Sequence, residues 1–465
     1  MCFMKSNIRI VCVIAASAVM VSCQTLKELR APYTADNTVP DNIIGNNSVV
    51  SDLVQSDGSL GDLSWRSLFQ DSHLESLIDK ALAANTDLLL SRKRVEEMET
   101  SLSIARKAFL PSVMFSPQGS WSRYDGEQLK TYNFPITAQW QADIFGSIRN
   151  KKMLAKVMKE QAEDVVQATQ CELIANVANL YYDLLMYDRQ KEILSETEQI
   201  RLKEIDTQKA LMEAGIVTSA AVNQMRASYY DVLAQEVNLD KAVVQTENAI
   251  CLLLGDTPHH ISRGSIADFV SPSQITVGIP ANILANRPDV RSAERNIEAA
   301  FYVTQSAKAE LYPNLTLSGS VGWTNNGLAG IVDPGKILYN AVASLTQPIF
   351  AQGKLKGNVR LSEMQMEEAR MSYVKTMLSA GKDVNDALIV CQSAEKRQEI
   401  LAKQVEALES AYSATTELML HGQGTYLEVL TAQESLLAAK LAEVGNRYEG
   451  IQGLISLYIA LGGGR

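Results

Sequence analysis

The segment FLPSVMFSPQGSW, Phe109 to Trp121, returns as LYPNLTLSGSVGW, Leu311 to Trp323. Pro111 and Pro313 are 202 positions apart, and so are Trp121 and Trp323. The echo widens along the chain. GIVTSAAVNQ begins at Gly215 and GQGTYLEVLT at Gly422, an offset of 207, and LLLG and IALG end at Gly255 and Gly462 with the same offset. Ile144-Phe145 and Ile349-Phe350 fall between, at 205. The offset grows by small insertions while the order of elements is kept. The chain is therefore two copies of one unit, residues 63–255 and 281–463, joined by a linker at 256–280.

Each copy has one grammar. A helical stretch ends at Pro111 or just before Pro313, because proline cannot continue a helix. Two strands follow. Val113, Phe115, Gly119 and Trp121 share one parity against Ser112, Ser116 and Ser120. Tyr132, Phe134, Ile136, Ala138 and Trp140 alternate with Thr131, Asn133, Thr137, Gln139 and Gln141. Leu315, Leu317, Val321 and Trp323 repeat the alternation against Asn314, Thr316, Ser318 and Ser320. A period of two is the strand signature. YDGEQ and TNNGLAGIVDPGK read as the turn regions.

A very long helix follows in each copy. Residues 147–213 contain no Pro or Gly, and only Gly381 interrupts 361–421. Val384, Leu388, Cys391, Gln398, Leu401, Val405, Leu408 and Tyr412 step at coiled-coil spacing, with a polar lapse at Gln398. Gly-rich turns at Gly215 and Gly422 then reverse the chain into shorter helices, 217–254 and 426–460.

The strands offer one apolar parity and one parity of Ser, Thr, Asn and Gln, with aromatics near the ends. That pattern fits a membrane barrel whose outside meets lipid and whose inside meets water. A soluble sheet with one buried face has the same alternation. Four strands cannot close a barrel, and an open sheet in lipid leaves edge groups unpaired at several kcal/mol each. Strands that span a bilayer therefore require several chains in one barrel, and three chains would supply twelve strands. Long helices set side by side as hairpins would bury their apolar stripes in a helical barrel continuous with the first.

The N-terminus reads as an export signal: Lys5 and Arg9, then an apolar run ending at Cys23 that is too short to span a bilayer. Met20-Val21-Ser22-Cys23 resembles a bacterial lipobox, which implies removal of residues 1–22 and acylation of Cys23 at the head of an extended segment, 23–62. The alternative is a secreted protein with an incidental cysteine.

Other chemistry is excluded. The formal charge is −10, without a Lys/Arg-rich run, which argues against nucleic acid. Cys171, Cys251 and Cys391 lie far apart in helical stretches and read as buried small hydrophobes. His73, the pair His259-His260 and His421 have no partner at ligand or triad spacing, so neither a metal site nor a catalytic site is expected. There is no phosphate-binding loop and no further apolar run long enough for an inner-membrane helix. The chain is not expected to be an enzyme or to need a cofactor.

With those pieces placed, NRPDVRSAER (Asn286–Arg295) resembles the RPD-(I/V)-x-x-AER signature of the TolC/OprM-type outer-membrane efflux factors, close to the lipid-anchored NodT-like branch. AKAELYPNLTLSGSVG (Ala307–Gly322), QPIF (Gln347–Phe350) and GQGTYLEVLTAQ (Gly422–Gln433) match the same family. The resemblance implies a mainly α fold with a membrane β-barrel. It would be a homotrimer with a 12-stranded barrel, four strands per chain, continued by a long α-helical barrel. It also implies a passive exit duct in the outer membrane, extending into the periplasm and working with a periplasmic adaptor and an inner-membrane resistance-nodulation-division (RND) pump. Small molecules are the expected cargo, since acylation is common in that branch. The outer-membrane component of a type I protein-secretion system is the alternative.

The resemblance also places candidate sites. The turns carrying Gly215 and Thr218, and Gly422, Gly424 and Thr425, are expected to dock the adaptor. Acidic residues beyond the tip constrict the channel in TolC-type relatives. Matching the motif puts Glu428 and Thr431 at the two acidic positions of the second tip, Ala221 at the first, and Gly424 where some relatives carry a gating Arg. One acid is kept and the Arg is missing. The expected periplasmic gate is a ring of Glu428 carboxylates assisted by Asn223, Gln224 and Leu427, and the alternative is a solvated helix face.

Overall fold

The computed structural model describes residue 33 and residues 64–269, 287–326 and 337–464. The signal region 1–22, Cys23, most of 24–62, the linker from 270 onward and the turn region 327–336 lie outside the described residues.

The helices and strands fall where proline, glycine and alternation place them. In the first copy α1 (Trp65–Leu68), α2 (Ser72–Ala84) and α3 (Thr86–Lys107) precede β1 (Ser112–Phe115), β2 (Gln118–Tyr124) and β3 (Glu127–Ala142). Then come α4 (Ser147–Glu213) and α5 (Ser219–Leu253). The second copy runs α6 (Pro288–Ala309), β4 (Asn314–Asn326), β5 (Ile337–Thr346), α7 (Lys354–Leu420) and α8 (Tyr426–Ala460). The duplication is visible residue by residue: α3 and α6 are both 22 residues long, α4 and α7 both 67, and α5 and α8 both 35. The α7 helix begins seven residues before the expected start and runs through Gly357 as well as Gly381.

The first helical stretch is not continuous. Asn85 breaks it between α2 and α3, where its Oδ1 accepts from the Leu88 N–H at 3.0 Å and its Nδ2 donates to the Leu253 carbonyl at 3.0 Å. The Asn85 N–H closes α2 on the Ala81 carbonyl at 2.8 Å, while its side chain caps the start of α3.

Two compact units cut across the duplication. One holds residue 33, Lys93–Glu163 and Ser292–Val374, and the other holds residues 64–92 with Asp164–Arg291 and Lys375 onward. Each sequence repeat thus contributes to both units.

The first unit contains the whole sheet. Its antiparallel order is β1-β3-β4-β5, and β2 continues β1 along the same side of β3. The register puts like faces together. Val113 lies opposite Ala138, Phe115 opposite Ile136, Phe134 opposite Trp323, Trp140 opposite Leu317, and Leu315 opposite Leu345. The other parity pairs Ser120 with Thr131, Gln139 with Ser318, Thr137 with Ser320, and Ser320 with Asn340. One face is mainly apolar and the other mainly polar, with Met114, Leu338 and Val342 as apolar exceptions on the polar side. Val113, Phe115, Trp121, Leu345 and Tyr339 are all exposed on the apolar face. Asp125 and Gly126, at φ 49° and 86°, make the two-residue turn between β2 and β3.

The expected uninterrupted first strand is split at Ser116-Pro117. Pro135, opposite the split, has no N–H to offer, and only the Ser116 N–H reaches its carbonyl at 3.2 Å.

The second unit packs the two helical hairpins. Ile193, Leu194, Val232, Leu437 and Val444 form a buried cluster with Met186, Leu239 and Leu441 against it. Each fully buried side chain of this kind stabilises by ~1.5–3 kcal/mol. The polar lapse at Gln398 is answered by buried Asn446, whose Nδ2 donates to the Gln398 Oε1 at 3.0 Å and to the Ala394 carbonyl at 2.9 Å. The described part of the linker is strapped down. Arg263 pairs with Asp188 at 2.5 Å and with buried Glu247 at 2.6 Å, and His260 Nδ1 meets Glu247 at 2.8 Å. No described helix is long and apolar enough to cross a membrane.

Candidate functional site

The two hairpin tips are built alike. Helix α4 ends at Gly215 (φ 73°) and α7 at Gly422 (φ 72°). In the first tip the Gly215 N–H donates to the Met212 carbonyl and the Ile216 N–H to Leu211, at 3.0 and 2.9 Å. In the second tip Gly422 donates to Met419 and Gln423 to Leu418, at the same distances. This paired closure satisfies the last helical carbonyls and needs a left-handed residue, which glycine supplies without strain. A Cβ at either glycine would meet nothing within 4 Å, so the turns are open to the outside. Gly424 differs: it has no positive φ, and its Cβ would lie 3.1 Å from the Met419 nitrogen. Ile216, Leu420 and Leu427 leave apolar surface exposed at the tips.

Thr218 and Thr425 are the N-caps of α5 and α8, both with extended backbone. The second tip adds a contact that the first lacks. The Glu428 carboxylate accepts from the Thr425 N–H at 3.1 Å, as the third residue of a capping box does. Ala221 stands at that position in α5 and offers no acceptor. Glu428, Leu427, Thr431, Asn223 and Gln224 are all exposed. The Thr431 hydroxyl donates to the Leu427 carbonyl at 2.8 Å. Within the single chain, Glu428 is engaged by its own helix end, and no described contact joins it to Asn223 or Gln224.

A short distance from the tips lies a set of buried polar side chains that the sequence reading missed. Arg201 is only 1% exposed. Its guanidinium donates to the Ser228 hydroxyl, which donates to Glu434 at 3.1 Å. Tyr412 donates to Glu204 at 2.9 Å, and Gln433 reaches the same oxygen at 3.4 Å. The set ties α4 and α5 of one hairpin to α7 and α8 of the other. Burial pushes the Glu204 carboxyl above its ordinary value, and the bonds from Tyr412 and Gln433 only partly offset this. Burial, with the nearby Glu204 charge, pushes Tyr412 up to about 12. The signal was present in a comparison of the two copies. At an offset of 207, Arg201 and Glu204 correspond to Leu408 and Ala411, and Tyr412 corresponds to Ile205. Apolar positions in one copy are polar in the other, so the set breaks the internal symmetry.

The RPD signature is also explained. Arg287 donates to the Ala460 carbonyl at 3.1 Å and pairs with Asp289 and Asp383 at 2.8 and 3.2 Å. Arg291 and Arg295 follow at four-residue steps and pair with Asp164 and Glu160 at 2.9 and 3.2 Å. Three arginines on one helical face thus fix the start of α6. Burial raises the Asp289 carboxyl, but the Arg287 guanidinium outweighs it and holds Asp289 below the usual range.

The model of the family described as outer membrane efflux protein matches residues 77–256 and 279–463. The chain belongs to the outer membrane efflux protein family. The chain is 26% identical over 420 residues to the cation efflux system protein CusC of Escherichia coli CFT073, covering 89% of this chain and 90% of that one. It is 26% identical over 414 residues to the probable outer membrane lipoprotein SilC of Salmonella typhimurium, covering 87% and 89%. The outer membrane channel MtrE of Neisseria gonorrhoeae, solved in an open state, superposes with a TM-score of 0.82 at 24% identity, covering 93% of this chain and 98% of that one.

As a member of this efflux family, the chain is an outer-membrane channel and not an enzyme. The fold agrees with that class: long helices for a helical barrel and a two-faced sheet for a β-barrel. Among the described residues no group of three His, Cys, Asp or Glu side chains is placed to hold a metal ion.

Proposed function

We propose that three copies of this efflux protein share one β-barrel of twelve strands and form the outer-membrane exit duct of a tripartite efflux system. The observation that carries this reading is the sheet. One face is mainly apolar and exposed, the other is mainly polar, and the outer edges of β1/β2 and β5 have no partner among the described residues. Lipid offers no hydrogen bonds to an open edge, so closure with neighbouring copies is the stable outcome. The polar face then lines a water-filled lumen.

The apolar, side-chain-poor tips at Gly215–Thr218 and Gly422–Thr425 suit docking against the hairpins of a periplasmic adaptor, which hands over cargo from an inner-membrane RND pump. The duct is passive, and its cargo is small molecules. Cys23 anchors the mature chain through acyl groups, and residues 1–22 are removed. Intact-mass measurement of the mature protein should give an acylated chain beginning at Cys23. At rest, three Glu428 carboxylates approach one another at the periplasmic end and narrow the opening.

The assembly is tested by electrophoresis of the membrane fraction without boiling. A band near three times the chain mass, converting to monomer on heating, is expected. A monomer extracted from membranes under every mild detergent would overturn the shared barrel.

A further inference from the structure

We propose that the end of the sheet where the helices join it carries a basic collar that binds the headgroups of anionic phospholipid. All four connections to helices lie at one end of the sheet. The register sets Ser112 opposite Gln139, Ala142 opposite Leu315, and Asn314 opposite Thr346. The chain segments passing this end are 104–112, 142–152, 306–314 and 346–360. Together they hold nine Lys or Arg and only two acids, in a chain whose net charge is −10.

Both acids are already engaged. The Asp143 carboxylate accepts from the N–H groups of Ile148 and Arg149 at 2.9 and 2.8 Å, and Glu310 lies 3.7 Å from Lys151. Six cations remain exposed with no ion-pair partner among the described residues: Arg106, Lys107, Arg149, Lys354, Lys356 and Arg360. They come from both sequence copies and all belong to the unit that contains the sheet.

Their position adds to the positive field. Arg149, Lys354 and Lys356 sit in the first turns of α4 and α7, where the helix dipole is already positive. Cations there oppose the helix that carries them. An anion at the same place is favoured by the side chains and by the dipole together. The order of side chains along the sheet points the same way. Next to the collar, Trp140 is exposed on the apolar face, its indole N–H donating to the Phe109 carbonyl at 2.9 Å, with Leu110 and Phe350 also exposed. Apolar face, then aromatic belt, then cations is the sequence of environments in a lipid leaflet read from core to headgroup. The opposite end of the β2–β3 hairpin carries Arg123, Asp125 and Glu127, of mixed sign.

The partner is a phosphodiester headgroup of the leaflet that faces the helices. The inference rests on the apolar face meeting lipid. It is tested with the full-length channel reconstituted in mixed zwitterionic and anionic phospholipid vesicles. Electron spin resonance of headgroup-matched spin-labelled lipids measures the relative affinity for the two lipid classes, and channel conductance is recorded from the same preparation. The wild-type channel should prefer the anionic lipid by roughly two- to five-fold at low salt, and the preference should fall as salt rises. Replacing the six cations with Gln should bring the ratio close to one with conductance retained. Removing six exposed cations of the other unit (Lys80, Lys203, Arg226, Lys241, Lys396, Lys403) should leave the preference in place. If the six-fold variant does not insert, two three-charge variants, R106Q/K107Q/R149Q and K354Q/K356Q/R360Q, should each lower the excess by about half. An unchanged preference in inserted variants overturns the collar. So does dissociation of the variants into monomers in detergent, which would assign the cations to acids of a neighbouring copy. A wild-type protein that neither inserts nor conducts would instead contradict the lipid-facing sheet.

Discussion

Gly322 lies directly opposite Pro135, and a Cβ at Gly322 would come within 2.4 Å of the Phe134 carbonyl oxygen. Proline in an inner strand removes one ladder donor and bends the local backbone. The neighbouring strand answers with the one residue that can approach so closely. Gly322→Val is expected to destabilise the β3–β4 pairing, the only sheet link between the strand pairs of the two copies among the described residues, by at least ~1–3 kcal/mol. The heat at which assembled channels fall apart on gels should drop clearly. Gly319→Ala, where the nearest atom is 3.6 Å away, is the control and should change little.

The burial of Glu204 beneath Tyr412 and Gln433 sets a pH dependence. Burial holds the Glu204 carboxyl above its ordinary value of 4.5. A group raised in the folded state contributes stability below its unfolded value, and that contribution is lost as pH rises through its folded value. Glu204→Gln keeps an acceptor for Tyr412 and Gln433 but no longer ionises. The variant's melting temperature should therefore exceed the wild-type one by an amount that grows as pH rises from 4.5 and then levels off. A difference that is constant across the acid range contradicts the ionisation argument.

The tips separate turn from docking surface. Gly215→Val and Gly422→Val place a β-branched residue at positive φ, costing ~1–2 kcal/mol or more at each site. Efflux should be lost while assembled channels still reach the membrane. Asn tolerates the left-handed conformation better than other residues. Gly422→Asn should therefore restore the turn and bring back efflux if only the backbone matters. It should fail if the adaptor needs a bare tip. Normal efflux in the Val variants at matched protein level refutes a docking role for the tips.

Glu428 has two roles to separate, because its carboxylate also caps α8 through Thr425. Gln caps in the same way without charge. Glu428→Gln should leave thermal stability within a degree or two of wild type and lower cation selectivity and divalent block in single-channel recordings. Unchanged selectivity and block would leave Glu428 as a cap alone.

Much of this fold was legible because the constraints were covalent and repeated. Prolines ended α3 and β-preceding segments, positive-φ glycines ended α4 and α7, and both copies obeyed the same spacing. The start of α4 and its end at Glu213 follow from the absence of Pro and Gly between them. Alternation fixed which strand residues share a face, and the register confirms the two faces. The break at Asn85 was not legible, because its partner, the Leu253 carbonyl, lies 168 residues away. Pro117 and Pro135 were visible, yet their joint effect appears only when the register sets them side by side. The Arg201, Glu204 and Tyr412 set was hidden for the opposite reason. Repeat logic emphasises positions where the copies agree, and these residues matter where the copies differ.

The four strand paths of this chain, β1/β2, β3, β4 and β5, are closed by other copies and enclose water. The most direct measurement is the conductance of the purified full-length protein in planar bilayers. Discrete, long-lived conductance steps are expected from the assembled species and none from dissociated monomer. Assembled protein that inserts into the bilayer and shows no ion conductance, even when Glu428→Gln or high monovalent salt relieves the tip, would contradict it.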